Sequence, residues 1–171
     1  MNDCKDSGGE LTPHWYVIYS KPHKEWVLWR QLQAFGFEVF FPRFLTKTGD
    51  LSVLKIRPYF PDYLFVKVDL NDVPLSTFQW MPFAIGLVCF GGKPANVPDV
   101  LIEAIHRRLV KANAEIGDLL DGFAQERGGE VECPLKGYDS IFDTHLSGDE
   151  RVVVFLQMLQ EINVSPELST I

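Results

Sequence analysis

An α+β fold is predicted: an antiparallel sheet flanked by helices, followed by a linker and a smaller second unit. Three observations predict it. Short runs alternating with period two interleave with runs whose apolar residues recur at helical spacing over residues 15–111. A stretch with few apolar positions, residues 112–127, then separates this part from residues 128–171. The charge balance changes there as well: residues 1–110 hold 12 Lys/Arg against 11 Asp/Glu, and residues 111–171 hold 4 against 12, so +1 becomes −8.

Trp15 to Ser20, rich in large and β-branched residues, is the first strand, and Pro22 ends it. Lys21 to Phe35 reads as a helix with Leu28, Leu32 and Phe35 on one stripe and Gly36 as its cap. Glu38 to Phe41 is a short strand closed by Pro42. Phe44 to Lys47 and Leu51 to Arg57 form a hairpin around Thr48-Gly49-Asp50. Asn71 to Trp80 reads as a short helix, and Leu87 to Phe90 as a strand turned by Gly91-Gly92. Val97-Pro98-Asp99 opens a helix with Leu101, Ile105 and Leu109 inward, its basic end at Arg107, Arg108 and Lys111. In the second unit Gly137 to Phe142 and Arg151 to Leu156 read as strands joined by Ser147-Gly148-Asp149, with a last strand at Glu161 to Val164. That unit is too short to be more than a small barrel or hairpin.

The most informative stretch is Arg57 to Val68. A Pro61-Asp62 turn launches a strand with Leu64, Val66 and Val68 on one face and Tyr63, Phe65 and Lys67 on the other. A strand apolar on both faces is either buried twice or offers one face to a partner.

Composition excludes several classes. At 171 residues and 46% apolar content the chain suits one ordinary domain or two small ones. No apolar run approaches the roughly 18 residues needed to span a membrane. Residues 1–14 lack a signal-peptide core and read as a disordered leader. Cys4, Cys89 and Cys133 are odd in number and widely spaced, which argues for a reducing cytoplasm and against a disulfide framework or a cysteine zinc site. His14, His106 and His145 offer no ligand spacing and no acid–base partner, so no metal or cofactor is expected. With no nucleophile set, phosphate loop or paired carboxylates, the chain reads as a non-enzyme.

The motifs converge on a known family. Trp15-Tyr16-Val17-Ile18-Tyr19 before a helix, Pro61-Asp62-Tyr63-Leu64-Phe65-Val66, and Leu87-Val88-Cys89-Phe90-Gly91-Gly92 with Val97-Pro98-Asp99 resemble the N-terminal domain of the NusG family. Pro134-Leu135-Lys136-Gly137-Tyr138 through Ser147-Gly148-Asp149-Glu150-Arg151-Val152 resembles its C-terminal KOW module. The order and spacing are most similar to the specialised, RfaH-like paralogues. The resemblance implies a disordered leader at 1–14, an N-terminal domain at 15–111, a linker at 112–127 and a KOW-like domain at 128–171, a small β-barrel with an alternative helical state.

It also implies a transcription elongation factor that acts by binding. Such a factor docks on the clamp helices of RNA polymerase's largest subunit, suppresses pausing, and promotes processivity and antitermination. Specialised members also touch the non-template DNA strand, and the KOW module recruits Rho or a small-subunit ribosomal protein. A monomer is expected. Tyr19, Tyr63, Phe65 and Phe90 match the polymerase-binding patch, although aromatics at strand spacing are usually core. Lys21 matches a DNA-facing position. His23 and Lys24 join it by proximity, with Arg43 and Lys47 as weaker candidates. The alternative is a KOW-type RNA- or ribosome-binding module acting without polymerase, which an acidic second unit disfavours.

Two departures stand out. Met81-Pro82-Phe83 replaces the family's Thr-Pro-Gly, and Cys133 stands where a Gly usually precedes Pro134. The barrel's first strand, Gln125 to Gly129, has no alternating apolar residues. Arg151 to Ile162 reads two ways. The Val152-Val153-Val154 run favours a strand, whereas Val152, Phe155, Leu156, Leu159 and Ile162 form a helical stripe. RfaH-like members fold the tail as a helical hairpin over the polymerase-binding patch, so both states are open here.

Overall fold

The computed structural model describes residues 12–47, 54–121 and 139–164. The Thr48-Gly49-Asp50 turn, the leader up to residue 11, Gln125 to Gly129, Pro134 to Tyr138, Cys4 and Cys133 lie outside the described residues.

The chain is α+β, as predicted. Strand β1 (His14–Ser20) lies at the centre of an antiparallel sheet in the order β2-β5-β1-β6, where β2 is Glu38–Phe40, β5 Tyr63–Val68 and β6 Ala84–Leu87. β9 (Asn96–Val97) also pairs with β1, through Trp15 and Tyr16. A ribbon of β3 (Arg43–Lys47) and β4 (Leu54–Pro58) and a short hairpin of β7 (Cys89–Phe90) and β8 (Lys93–Pro94) project from it. Gly91 and Gly92, at φ 58° and 77°, make the β7–β8 turn, a conformation that costs glycine little.

Period-two alternation sends β1 and β5 to two different cores. Tyr16, Ile18, Leu64, Val66 and Val68 face α1 (Glu25–Ala34) and α2 (Ser76–Trp80), packing with Leu28, Leu32 and Phe78. Trp15, Val17 and Phe65 face the other way, onto Leu101, Ile105 and Leu109 of α3 (Asp99–Asp121) and Phe155, Met158 and Leu159 of α4 (Gly148–Val164). Strand β5 is therefore buried twice. Its second cover is supplied by the tail.

Several boundaries differ from the expectation. The first helix starts at Glu25, not Lys21, because His23 sits at φ 60°, which a helix cannot accommodate. Phe35 caps that helix and is 65% exposed, not part of its inward stripe. The strand expected from Leu87 to Phe90 is split into β6 and β7. Helix α3 runs through Asp121, over the first residues of the expected linker. Asn113 fastens it there: its side-chain carbonyl accepts from the Leu45 N–H (3.0 Å) and its amide donates to the Arg43 carbonyl (3.3 Å).

The tail differs most. The strands expected at Arg151–Leu156 and Glu161–Val164 are one helix, and Asp139–Phe142 is a 3₁₀ turn. Ser147-Gly148-Asp149 is a helix start. The Ser147 hydroxyl accepts from the Glu150 N–H (3.2 Å), and the Ser147 N–H donates to the Glu150 carboxylate (2.8 Å). This reciprocal pair is a capping box, and it satisfies two donors that a helix start would otherwise leave orphaned.

A candidate interaction surface and the tail that covers it

Antiparallel register sets Tyr19 opposite Tyr63, and their rings stack at 4.8 Å and 13°. Both are half-buried. Burial pushes the Tyr63 hydroxyl up from its ordinary pKa, with Tyr19 and Asp62 adding to the effect. Phe65 lies two residues along the same face and is wholly buried. Its ring meets Phe60 at 5.9 Å, Phe40 at 5.8 Å and Phe155 of α4 at 5.6 Å. Phe90 is half-buried and packs on the same core. The fold thus brings the four predicted aromatics to one side of the sheet, and α4 covers Phe65.

Three contacts fasten α4. Phe155 enters between Phe60 and Phe65, 4.7 Å from the Phe60 ring. Near the helix start, Arg151 is 5% exposed, donating from Nη1 to the Tyr59 carbonyl (2.9 Å) and from Nη2 to the Leu146 carbonyl (3.1 Å). Its guanidinium lies 4.0 Å from the Tyr59 ring centroid, and the Tyr59 hydroxyl donates to the Ile141 carbonyl at 2.8 Å. At the far end, the Asn163 amide mimics a peptide: it accepts from the Asn96 N–H (2.9 Å) and donates to the Asn96 carbonyl (3.1 Å).

Arg151 is unusual among buried cations. Its partners are carbonyls and ring faces, with no carboxylate in ion-pair distance among the described residues, and its Nε has no partner. A buried charge held by neutral dipoles costs more than a paired one. Gly148 sits flush on Pro61, where a Cβ would meet Pro61 Cγ at 2.8 Å.

The turn beneath this latch is itself constrained. Asp62 has φ 68°, and its N–H donates to the buried Glu25 carboxylate at 3.1 Å. Burial and the adjacent Glu25 charge raise the Asp62 carboxyl above the ordinary range.

The predicted DNA-facing residues divide. Lys21, His23 and Lys24 are exposed together at the turn between β1 and α1. The Lys21 N–H donates to the Phe83 carbonyl at 2.8 Å, which ties that turn to the Met81-Pro82-Phe83 loop. Arg43 lies at the start of β3, folded against α1, with its guanidinium 4.9 Å from the Trp26 ring, 4.6 Å from Trp29 and 5.4 Å from Phe41. Lys47 ends β3.

Sequence reasoning missed Arg151, Asn163, Trp26, Trp29 and the 84%-exposed Trp80. The Ser147-x-x-Glu150 spacing was a legible helix signal. No sequence signal marks the buried Arg151.

Among the described residues, no group of three or more His, Cys, Asp or Glu could hold a metal ion, and no helix is long and apolar enough to cross a membrane. The site is an aromatic face of an antiparallel sheet, covered at Phe65 by a helix of the same chain. The profile described as "Transcription termination factor nusG" matches residues 13–106, more than half the chain, and the chain belongs to that family. The family comprises transcription termination and elongation factors, non-enzymatic regulators that act with RNA polymerase. A solved structure described as "Domain interaction in Thermotoga maritima NusG" is similar at 19% identity and a TM-score of 0.41, over 68% of this chain and 63% of that one. The chain therefore spans less than two thirds of that protein's length.

Proposed function

We propose that this chain is a specialised, RfaH-like elongation factor that binds the clamp helices of RNA polymerase, suppresses pausing, and promotes processivity and antitermination. Tyr19, Tyr63, Phe65 and Phe90 are its polymerase contacts. The single observation that best supports this is the seating of α4. An apolar helix, led by Phe155, already lies on Phe65 and Phe60, so this sheet face is shaped for a helix. Aromatics in such a groove are the residue types that dominate helix-docking interfaces.

In this reading α4 occupies the polymerase site until it is displaced. The released tail then forms the KOW-like domain of residues 128–171 and recruits Rho or a small-subunit ribosomal protein. The Val152-Val153-Val154 run is compatible with the strand that this second state needs. Lys21, His23, Lys24 and Arg43 face the non-template DNA strand.

The test is a binding measurement with core RNA polymerase. Phe155→Asp in the full chain places a charge in the Phe60–Phe65 groove, and binding is expected to tighten as the tail is released. Adding Tyr63→Ala to that variant is expected to weaken binding by about 2 kcal/mol, roughly 30-fold, as for a buried aromatic hot spot. Equal affinity of both variants and the parent chain would refute the reading.

A further inference from the structure

Arg43 is held in an aromatic box that the docking surface does not use. Trp26 and Trp29 project from successive turns of α1, Phe41 comes from the segment before β3, and the guanidinium carbon lies 4.6–5.4 Å from all three rings. The backbone around it is pinned as well, since Asn113 accepts from the Leu45 N–H and donates to the Arg43 carbonyl. Rings fix the faces of the guanidinium but cannot accept along its edge. No carboxylate or carbonyl among the described residues takes its N–H groups. The group is half-exposed and burial lowers its pKa, so its donors are partly stripped of water without gaining an acceptor among the described residues.

The surroundings specify the missing acceptor. In a chain of net charge −7, residues 21–47 hold 5 Lys/Arg and 2 Asp/Glu. One of those two, Glu25, is turned inward onto the Asp62 N–H. Lys24 and Arg30, exposed, lie either side of Trp26 and Trp29 on the chain. An oriented guanidinium edge, half-buried indoles and a local cationic surplus are the parts of a single-strand nucleic-acid site.

We propose that Arg43, Trp26 and Trp29 form a nucleotide subsite for a single-stranded nucleic acid. The Arg43 edge forks a backbone phosphate, and an indole gives the adjoining base a face to stack on. The assignment rests on the reading of this side as the DNA-facing one and names the residues that do the gripping.

The experiment follows the anisotropy of labelled oligothymidylate and oligouridylate titrated with the full chain at low salt. Arg43→Lys keeps the charge and loses the planar fork, so it separates recognition from net charge. We expect it to weaken binding about tenfold, and Trp29→Leu similarly, the scale of one lost stacking or bidentate contact. Arg43→Gln is expected to lower the slope of log affinity against log salt by about one. Preference between the two oligomers tells whether DNA or RNA is the natural strand. Failure of the parent chain to bind either, unchanged affinity of folded Arg43→Lys, or equal displacement by polyglutamate would each overturn the subsite. Binding to core polymerase is measured in parallel. A chain that binds polymerase but no oligomer loses the subsite and the DNA-facing reading it rests on, and keeps the polymerase one. One that binds oligomer but not polymerase loses only the polymerase reading.

Discussion

Arg151 carries the tail's attachment at the residue scale. Its two Nη groups donate to the Tyr59 and Leu146 carbonyls, and its guanidinium lies on the Tyr59 ring. Arg151→Ala would remove a donor from both carbonyls and open a hole beside the Tyr59 ring. A cost of roughly 2–4 kcal/mol to the docked tail is expected, the scale of losing charge-assisted bonds at a buried site. Arg151→Lys is expected to recover little, because an ammonium has neither the planar fork nor the stacking face. Chemical denaturation of the full chain, followed by an α4 probe, checks both. Gly148→Ala is the complementary change. Its methyl would meet Pro61 Cγ at 2.8 Å, so it should loosen the tail and leave the sheet as stable as before. Neither residue's role was legible in the sequence. An arginine two positions past a turn normally reads as solvated, and only tertiary packing buries it.

Helix α4 is where two readings of one segment compete. Most of a helix's stability in a protein comes from packing one face, so packing has to decide for the 17 residues of α4. On the sheet, Phe155, Met158 and Leu159 are buried, and burial contributes on the order of 1.5–3 kcal/mol for each such side chain. The helical stripe expected from the sequence held Phe155 and Leu159 but not Met158 or Arg151. The β-branched run at 152–154 misled because propensity is weaker than burial. The capping box adds its share, and Ser147→Ala should cost about 1 kcal/mol of helix stability. It also gives a pH signature. Hydrogen bonds to Ser147 hold the Glu150 carboxyl below the ordinary carboxylate range. A depressed folded-state pKa means the unfolded chain takes up the proton first as pH falls. Its contribution is therefore complete above the ordinary carboxylate pKa and is lost as pH drops through the folded value. Glu150→Gln should flatten that part of the acid limb in a pH titration of helicity. The sheet elements were more legible, because β1 and β5 alternate strictly and each face has its own helical cover. The first helix's late start was not, since nothing in Lys21-Pro22-His23 announces a left-handed histidine.

For the whole molecule, one sheet supports two readings of partnership. Its α1–α2 side is a buried core. Its α3–α4 side is closed partly by a helix whose grip combines good aromatic packing with an imperfectly satisfied cation. Such a cover can be firm in isolation and still yield to a partner helix that offers a longer apolar stripe. The doubly apolar strand Tyr63–Val68 marked this site in the sequence, but the identity of its cover was hidden in the two-way pattern of residues 151–162. In the proposed function, α4 leaves Phe65 when polymerase binds. Spin labels at Val27→Cys on α1 and Val153→Cys on α4, both exposed positions, with Cys4, Cys89 and Cys133 replaced by serine, report that directly. The free chain should give one narrow distance between them. Adding core RNA polymerase should abolish that distance in favour of longer, broader ones, and a polymerase-bound chain that keeps the narrow distance would contradict the account.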